Sequence, residues 1–378
     1  MRVLLTGGGT SGHVNPALAI AEIIKKNVPS SSFAYVGTEK GIEKTLAEKE
    51  FYPFYPINIQ GIRRSLSPSN IKTAYLIMTA PAKAKKIIEE FKPDVVIGTG
   101  GYVCWAPLKA AADMGIPTVI HESNSVPGLA VRKLEKKVDL ILTNFEEAGE
   151  SLKEKRKIVR VGNPTRASFG ECSKADTRAR LGIDKSAFVV LSFGGSHGAP
   201  ALNQAALDIM EGFSSKHENV IHIHSGGRDY FEEARQEFAD RGLAGNKRLE
   251  VKEYIFDMSE YMNAADVVIC RAGAMTLTEL AIMKKPAILI PSPNVTAQHQ
   301  YKNALALSSK GAAVLIQESE MTAERLCESM ERLYSSESLR EQMSEAISEF
   351  ASEDVSERIF EEINKLVKNR SKIQKEKL

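Results

Sequence analysis

Four glycine-bearing clusters set the chemistry open to this chain. Gly7-Gly8-Gly9-Thr10-Ser11-Gly12-His13 and Gly194-Gly195-Ser196-His197-Gly198 each follow a short apolar, β-branched run and precede a helical pattern, the second reading as a helix from Ala199 to Met210. Glycine lets backbone approach a ligand without Cβ clashes, and the unpaired N–H groups of a helix start carry partial positive charge, so phosphate is the natural occupant. Gly98-Thr99-Gly100-Gly101-Tyr102 follows Val96-Ile97 in the same way. Cys270-Arg271-Ala272-Gly273-Ala274-Met275-Thr276 follows Val267-Val268-Ile269 and continues as a helix carrying Glu279. A carboxylate one turn into such a helix can accept both hydroxyls of a ribose while the helix start holds phosphate. His13 is the candidate for a base poised near neutrality; its other reading is a helix-start residue donating to backbone or phosphate.

Such loops work only if strands deliver them to one edge of a sheet. Short β-rich runs at 33–37, 52–57, 95–97, 118–120, 140–142 and 158–161 alternate with helical patterns, and so do runs at 188–193, 219–224, 248–252, 267–269, 287–290 and 313–316. This alternation predicts parallel α/β sheets, whose ligands bind beyond the carboxyl ends of the strands. Gly162-Asn163-Pro164 breaks the pattern and the charged stretch 171–185 reads as a linker, so the expected domains are 1–163 and 164–350. From Thr322 the chain reads as helical, with Ile359, Ile363 and Leu366 at helical spacing, and residues 368–377 read as too charged to pack.

Composition narrows the class further. The 378 residues are 43% hydrophobic and 26% charged, which excludes a disordered chain. No apolar run approaches the roughly 18 residues of a membrane span, and the start lacks the regions of a signal peptide, so a cytoplasmic setting is expected. Cys104, Cys172, Cys270 and Cys327 lack C-x-x-C spacing, which favours free thiols over zinc or disulfides. Lys+Arg against Asp+Glu is 23 to 16 over residues 1–163 and 20 to 26 over 164–350, so the basic front half suits an anionic surface.

Seven separated motifs then resemble one family. They are the first glycine cluster, Gly100-Gly101-Tyr102, His121-Glu122-Ser123-Asn124 with Pro127-Gly128, Val161-Gly162-Asn163-Pro164-Thr165-Arg166, Gly194 to Ala199, Arg271 to Thr276, and Ile290-Pro291-Ser292-Pro293-Asn294 followed by His299-Gln300. In this order they are similar to the MurG family of peptidoglycan N-acetylglucosaminyltransferases. The resemblance implies an α/β GT-B fold: two Rossmann-like doubly wound domains facing across a cleft, with a C-terminal helix, 351–370, crossing back to the first. It implies inverting transfer of N-acetylglucosamine from UDP-N-acetylglucosamine to the C4 hydroxyl of the muramoyl sugar of undecaprenyl-diphosphate-linked lipid I, on the cytoplasmic face of the membrane. By position, Ser196 holds the diphosphate, Ile255 contacts uracil, and Ala274, Met275 and Thr276 line the phosphate and ribose site. Glu279 binds the ribose, Gln300 and Asn124 reach the donor sugar, and Arg166 stands nearby. Thr10, Ser11 and Gly12 join this donor-binding set and, with His13, face the acceptor. His197 stands where glutamine is usual in the family.

With no Asp-x-Asp in the chain, a metal-clamped diphosphate is not expected, nor is a cofactor or a nucleic-acid partner. Main-chain amides at 195–198 and 274–276 are expected to meet the charge of the departing UDP instead. Ile59, Ile62, Leu66, Ile71, Tyr75 and Leu76 interleave with Arg63, Arg64 and Lys72 near Trp105, which fits an anionic membrane surface or, equally, a core helix. His121, and His222 with His224, read as structural, and Cys270 as a small buried residue. Another GT-B transferase, a nicotinamide-dependent oxidoreductase and a non-catalytic nucleotide-binding module stay open as alternatives.

Overall fold

A computed structural model describes residues 1–61, 69–169, 173–295 and 298–376, side chains at 69, 70, 72 and 371–376 aside. The chain divides into two compact units, 1–166 with 352–378, and 167–351. Each is built on one all-parallel sheet.

In the first unit the strands are β1 (Arg2–Thr6), β2 (Ser32–Gly37), β3 (Phe54–Pro56), β4 (Val95–Gly98), β5 (Thr118–Glu122), β6 (Leu140–Thr143) and β7 (Ile158–Arg160). Their spatial order is β3-β2-β1-β4-β5-β6-β7. Strands β1, β4, β5 and β6 are almost wholly buried, because helices cover both faces of a parallel sheet, and this is why they read as unbroken apolar runs. The order reverses between β1 and β4, whose register pairs Thr6 with Gly98. The loops leaving those two strands therefore part to opposite faces and open a crevice.

The second unit repeats the design with β8 (Phe188–Phe193), β9 (Val220–Ser225), β10 (Leu249–Lys252), β11 (Val267–Cys270), β12 (Ala287–Leu289) and β13 (Val314–Leu315), ordered β10-β9-β8-β11-β12-β13. Its reversal falls between β8 and β11, where Phe193 pairs with Cys270. The four glycine-bearing loops singled out in the sequence are thus the loops after the two strands at each reversal.

The fold also departs from expectation. The helix after β8 begins at Pro200 and runs to Ile209, then widens into a π-turn over Met210–Ser214. Stretch 171–185 is no simple linker: it holds the helix Lys174–Arg180, and Arg178 is buried, donating to the carbonyls of Ala264, Lys185 and Ala187 and to Asp266. Glu171 and Cys172 lie outside the described residues. The first unit runs on to Arg166 and resumes at Ser352. Beyond Thr322 the helices are Ala323–Ser335, Glu337–Ser348 and Val355–Glu376; Thr322 and Ser336 cap the first two, accepting from Arg325 N and Leu339 N. The last helix packs on helix Ser11–Asn27 of the first unit, with Ile359 and Ile363 fully buried. Its charged end is engaged as well, since Arg370 pairs with Asp139 at 2.5 Å.

Candidate active site

The first crevice is built around His13. Thr10 precedes helix Ser11–Asn27 in an extended conformation, and His13 sits in the first turn. Its Nδ1 lies 3.1 Å from the Gly8 carbonyl and 3.4 Å from Thr10 Oγ1. A carbonyl only accepts, so Nδ1 carries the proton and Nε2 keeps a bare lone pair. Burial pushes this imidazole below its usual 6.5, against the attraction of Glu122 and Glu43 and the bond to Gly8. The ring is wedged between two loops. Gly100 and Gly101 take φ of 104° and 76°, and a Cβ on Gly100 would stand 2.7 Å from His13 Cδ2 and 3.2 Å from Nε2. Glycine is required there to leave the reactive edge uncovered. Thr99 Oγ1 donates to the His13 carbonyl at 2.5 Å and ties the loop after β4 to the helix.

Two buried carboxylates brace this crevice, and sequence reading missed both roles. Glu43 accepts from Thr38 N at 2.9 Å, from Thr38 Oγ1 at 2.6 Å and from Gly9 N at 3.4 Å. Glu39, the acid just beyond β2, takes no part and pairs with Lys44 on the surface. Glu122 accepts from Asn124 N and Nδ2 at 2.9 and 3.0 Å and from Gly128 N at 2.8 Å, holding the residue that precedes helix Leu129–Leu134. Asn124 is thereby fixed with its amide oxygen as the group it can offer a ligand. His121 is structural as expected: Nε2 bonds the Gly162 carbonyl at 2.9 Å, and burial pushes its pKa down to about 4. Arg166 stands apart. It binds Glu50 at 2.6 Å and Glu22 at 3.6 Å, and Glu22 lies three turns, about 16 Å, from the helix start.

In the second unit the loop after β8 turns through Gly195 and Gly198, with φ of 95° and 87°. Nothing lies within 4 Å of where a Cβ on Gly195 would stand, so the chain is open to close approach there. Gly198 is the opposite case: its Cβ would collide with the Gly226 carbonyl. The segment after β9 supports the loop from below, Arg228 N donating to the Ser196 carbonyl at 3.2 Å and Asp229 N to that of His197 at 3.1 Å. Ser196 is buried, and the His197 ring binds Asp229 at 2.9 Å. Amides 195–198 belong to this loop and not to the helix, whose first residue, Pro200, has no N–H to give. Leu202 N and Asn203 N are both turned onto the Ala199 carbonyl. Within the loop itself, Gly198 N is turned onto the Gly195 carbonyl at 3.1 Å.

The other face of this crevice is the start of helix Ala274–Ile282, capped by Gly273. Ala274 and Met275 are buried and Thr276 is partly open. Glu279 follows on the second turn, and burial alone pushes its carboxyl up to about 8. Arg271 is locked by the Ile290 carbonyl at 3.0 Å and by an ion pair with Glu318. Gln300 accepts from Ser292 N at 2.9 Å, so what it offers a ligand is its amide nitrogen. Ile255 is a core residue clustered with Val189, Leu191 and Met262, so its side chain is not open to a base. The structure therefore groups Ser196 with the loop after β8, groups Ala274, Met275, Thr276 and Glu279 on one helix start, and gathers Thr10, Ser11, Gly12 and His13 at the first crevice. Among the described residues no cluster of three or more His, Cys, Asp or Glu could hold a metal ion.

Comparison with known proteins agrees across the chain. Residues 3–143 match the glycosyltransferase family 28 N-terminal domain and 189–376 the C-terminal domain. A Bacillus subtilis protein is 40% identical over 91% of this chain and 93% of its own length, and one from Acetivibrio thermocellus is 40% identical over 91% and 92%. Both are UDP-N-acetylglucosamine–N-acetylmuramyl-(pentapeptide) pyrophosphoryl-undecaprenol N-acetylglucosamine transferases. Among solved structures, Acinetobacter baumannii MurG superposes with a TM-score of 0.66 at 29% identity, covering 96% of this chain and 99% of its own. A Staphylococcus aureus MnaA–UDP structure, at 16% identity and a TM-score of 0.66, shares the fold.

Proposed function

Because the chain belongs to glycosyltransferase family 28, we propose that it moves N-acetylglucosamine from UDP-N-acetylglucosamine onto the muramoyl sugar of a pyrophosphoryl-undecaprenol acceptor, lipid I. The observation that carries this reading is the placement of its glycine loops at the reversal point of each sheet, in a chain that matches such transferases over nine-tenths of its length. Loop 194–198 with Ser196 takes the diphosphate, Ala274 to Thr276 the phosphate and ribose edge, Glu279 the ribose hydroxyls and the Ile255 main chain the uracil. The Gln300 amide nitrogen and the Asn124 amide oxygen are assigned to the sugar. Arg166, held by Glu50 and Glu22, secures the segment that leaves the first unit. Transfer to the acceptor C4 hydroxyl with inversion needs one deprotonation and one stabilised leaving group. His13 Nε2 takes the proton, and the loop amides meet the charge that grows on UDP. Incubation with labelled UDP-N-acetylglucosamine and a short-chain lipid I analogue tests the whole; absence of labelled disaccharide lipid overturns it.

His13→Gln is expected to lower kcat by about 10²–10³ with donor affinity within threefold, since only the proton acceptor is lost. In the parent, kcat should fall at low pH with a midpoint below 6.5, because burial lowers the pKa of the base. Near-normal turnover of the variant would assign the proton to another group.

No helix among the described residues is long and apolar enough to cross a membrane. Peripheral attachment to an anionic cytoplasmic membrane surface is supported by helix Ser69–Phe91, where Ile71, Tyr75 and Met78 are 78%, 66% and 80% exposed. Their spacing of four and three puts them on one helix face. Ile59, in contrast, is core, and Trp105 packs partly buried against that core; Ile62, Arg63, Arg64 and Leu66 lie outside the described residues, as does the Lys72 side chain. Glutamate at 71, 75 and 78 together should cut sedimentation with anionic vesicles at least tenfold. Undiminished binding would clear this face of the role.

A further inference from the structure

Beneath helix Pro200–Ile209 the β8–β9 face carries hydroxyls and imidazoles among aliphatic residues. Ser192, His222, His224, Ser214 and Asn203 are all buried. They form one file: Ser214 Oγ to His222 Nδ1 at 3.0 Å, His222 Nε2 to Ser192 Oγ at 2.9 Å, Ser192 Oγ to His224 Nδ1 at 2.8 Å, His224 Nε2 to Asn203 Oδ1 at 3.1 Å, and Asn203 Nδ2 to the Gly226 carbonyl at 3.0 Å.

The last link sets the direction of all the others. The Gly226 carbonyl can only accept, so Asn203 donates to it and turns its own oxygen toward His224. His224 therefore carries its proton on Nε2 and accepts at Nδ1 from Ser192. Ser192 in turn accepts from His222 Nε2–H, and His222 Nδ1 accepts from Ser214. His224 Nδ1 also lies 3.1 Å from the Ser192 carbonyl, the bond the opposite tautomer would use. That tautomer gains the carbonyl bond but sets bare Nε2 lone pair to lone pair against Asn203 Oδ1 at 3.1 Å, which breaks the file at the link that reaches Gly226. Burial keeps both rings neutral, His224 near 4 and His222 well below its usual value, so neither brings a charge into the file.

Gly226 is the residue on which the nucleotide loop rests. Its carbonyl fills the space a Gly198 side chain would need, and Gly227, at φ 82°, lies so close that a Cβ there would overlap Gly198 N and Cα. The following residues hold Ser196 and His197 through the two main-chain bonds already described.

We propose that His224 and Asn203 are positioning residues for glycosyl transfer: a one-way hydrogen-bond file, started on the π-turn and ended on Gly226, holds the diphosphate loop in its binding shape. The proposal rests on the reading of loop 194–198 as the donor diphosphate site.

Two variants at one position separate this role from packing. The amide nitrogen of glutamine reaches the place of imidazole Nε2, and that of asparagine reaches only the place of Nδ1. His224→Gln keeps the donor to Asn203; His224→Asn breaks it. With the full chain, UDP Kd and donor KM of His224→Gln should stay within about threefold of the parent, and those of His224→Asn should rise about tenfold with kcat changed less. Equal effects of the two variants on UDP Kd overturn the proposal, whatever their effects on Tm. Nitrogen-15 chemical shifts of the parent's imidazoles read the file without nucleotide: Nε2–H on both rings supports it, and Nδ1–H on His224 overturns it. Failure of the parent to bind UDP would instead overturn the assignment of the loop, and the imidazole shifts would still judge the file.

Discussion

Gly195→Ala is expected to weaken UDP binding strongly while lowering Tm by only a few degrees, and Gly198→Ala to weaken binding and destabilise the second unit together. Both residues hold positive φ, so either alanine carries about 1–2 kcal/mol of backbone strain. Among the described residues nothing else opposes a methyl group at 195, where the surroundings are open to 4 Å. At 198 the methyl meets the Gly226 carbonyl, backbone against backbone, and neither chain can yield without dragging the strand below it. A further 1–3 kcal/mol is expected there from overpacking. With the diphosphate on loop 194–198, as proposed, the new methyl at 195 takes space the ligand needs and its effect falls on binding. A loss of about a hundredfold in UDP affinity is the expected scale, since several loop amides lose their reach together. Calorimetric titration with UDP beside thermal melts decides it. A Gly195→Ala protein that binds UDP like the parent would move the diphosphate to another loop.

The second large effect is a pH dependence. Glu279 is pushed up to about 8 by burial, so in the empty protein it is about 1% ionised at pH 6 and half ionised at pH 8. A ribose presents two hydroxyls that both donate, which calls for the ionised carboxylate with two accepting oxygens. Uridine affinity is therefore expected to fall as pH drops from 8 to 6, by up to about fiftyfold. Uridine is the probe of choice because it has no phosphate to titrate. In Glu279→Gln the slope should vanish and affinity stay low throughout. Stability carries the opposite sign. The folded chain keeps a proton that the unfolded chain gives up near 4.5, so the contribution of Glu279 is complete below 4.5 and is lost as pH rises through 8. Glu279→Gln should accordingly raise Tm at pH 8 more than at pH 5. A flat uridine profile in the parent would remove Glu279 from the ribose.

How far the sequence carried these conclusions depended on what kind of signal each residue left. Buried parallel strands are short β-branched runs ended by glycine, and β1, β4, β8 and β11 were all legible, so the loops at both reversals could be found without coordinates. The start of the helix after β8 was misplaced by one residue because Ala199 fits the apolar pattern, while the extended Ala199 and the proline after it put the first turn at 200. Ile59 fitted a membrane face and a core helix equally, because an apolar side chain carries no mark of which side it faces; it is core, and so is the side chain of Ile255, whose role came from the family resemblance. Glu43 was missed because its partners, Thr38 and Gly9, meet it only when β2 and helix Ile42–Lys49 fold back on the first loop. His222 and His224 alternate on one strand, which showed a shared face but not that Ser192 and Asn203 would take up their nitrogens.

The return of helix Val355–Glu376 to the first unit has a consequence for biosynthesis. The amino-terminal unit lacks its own cover, Ile359, Ile363 and Arg370, until every residue of the other unit has left the ribosome. What is translated first is thus completed last, and a nascent or prematurely terminated chain presents a greasy scar on helix Ser11–Asn27 that chaperones and proteases can read as unfinished.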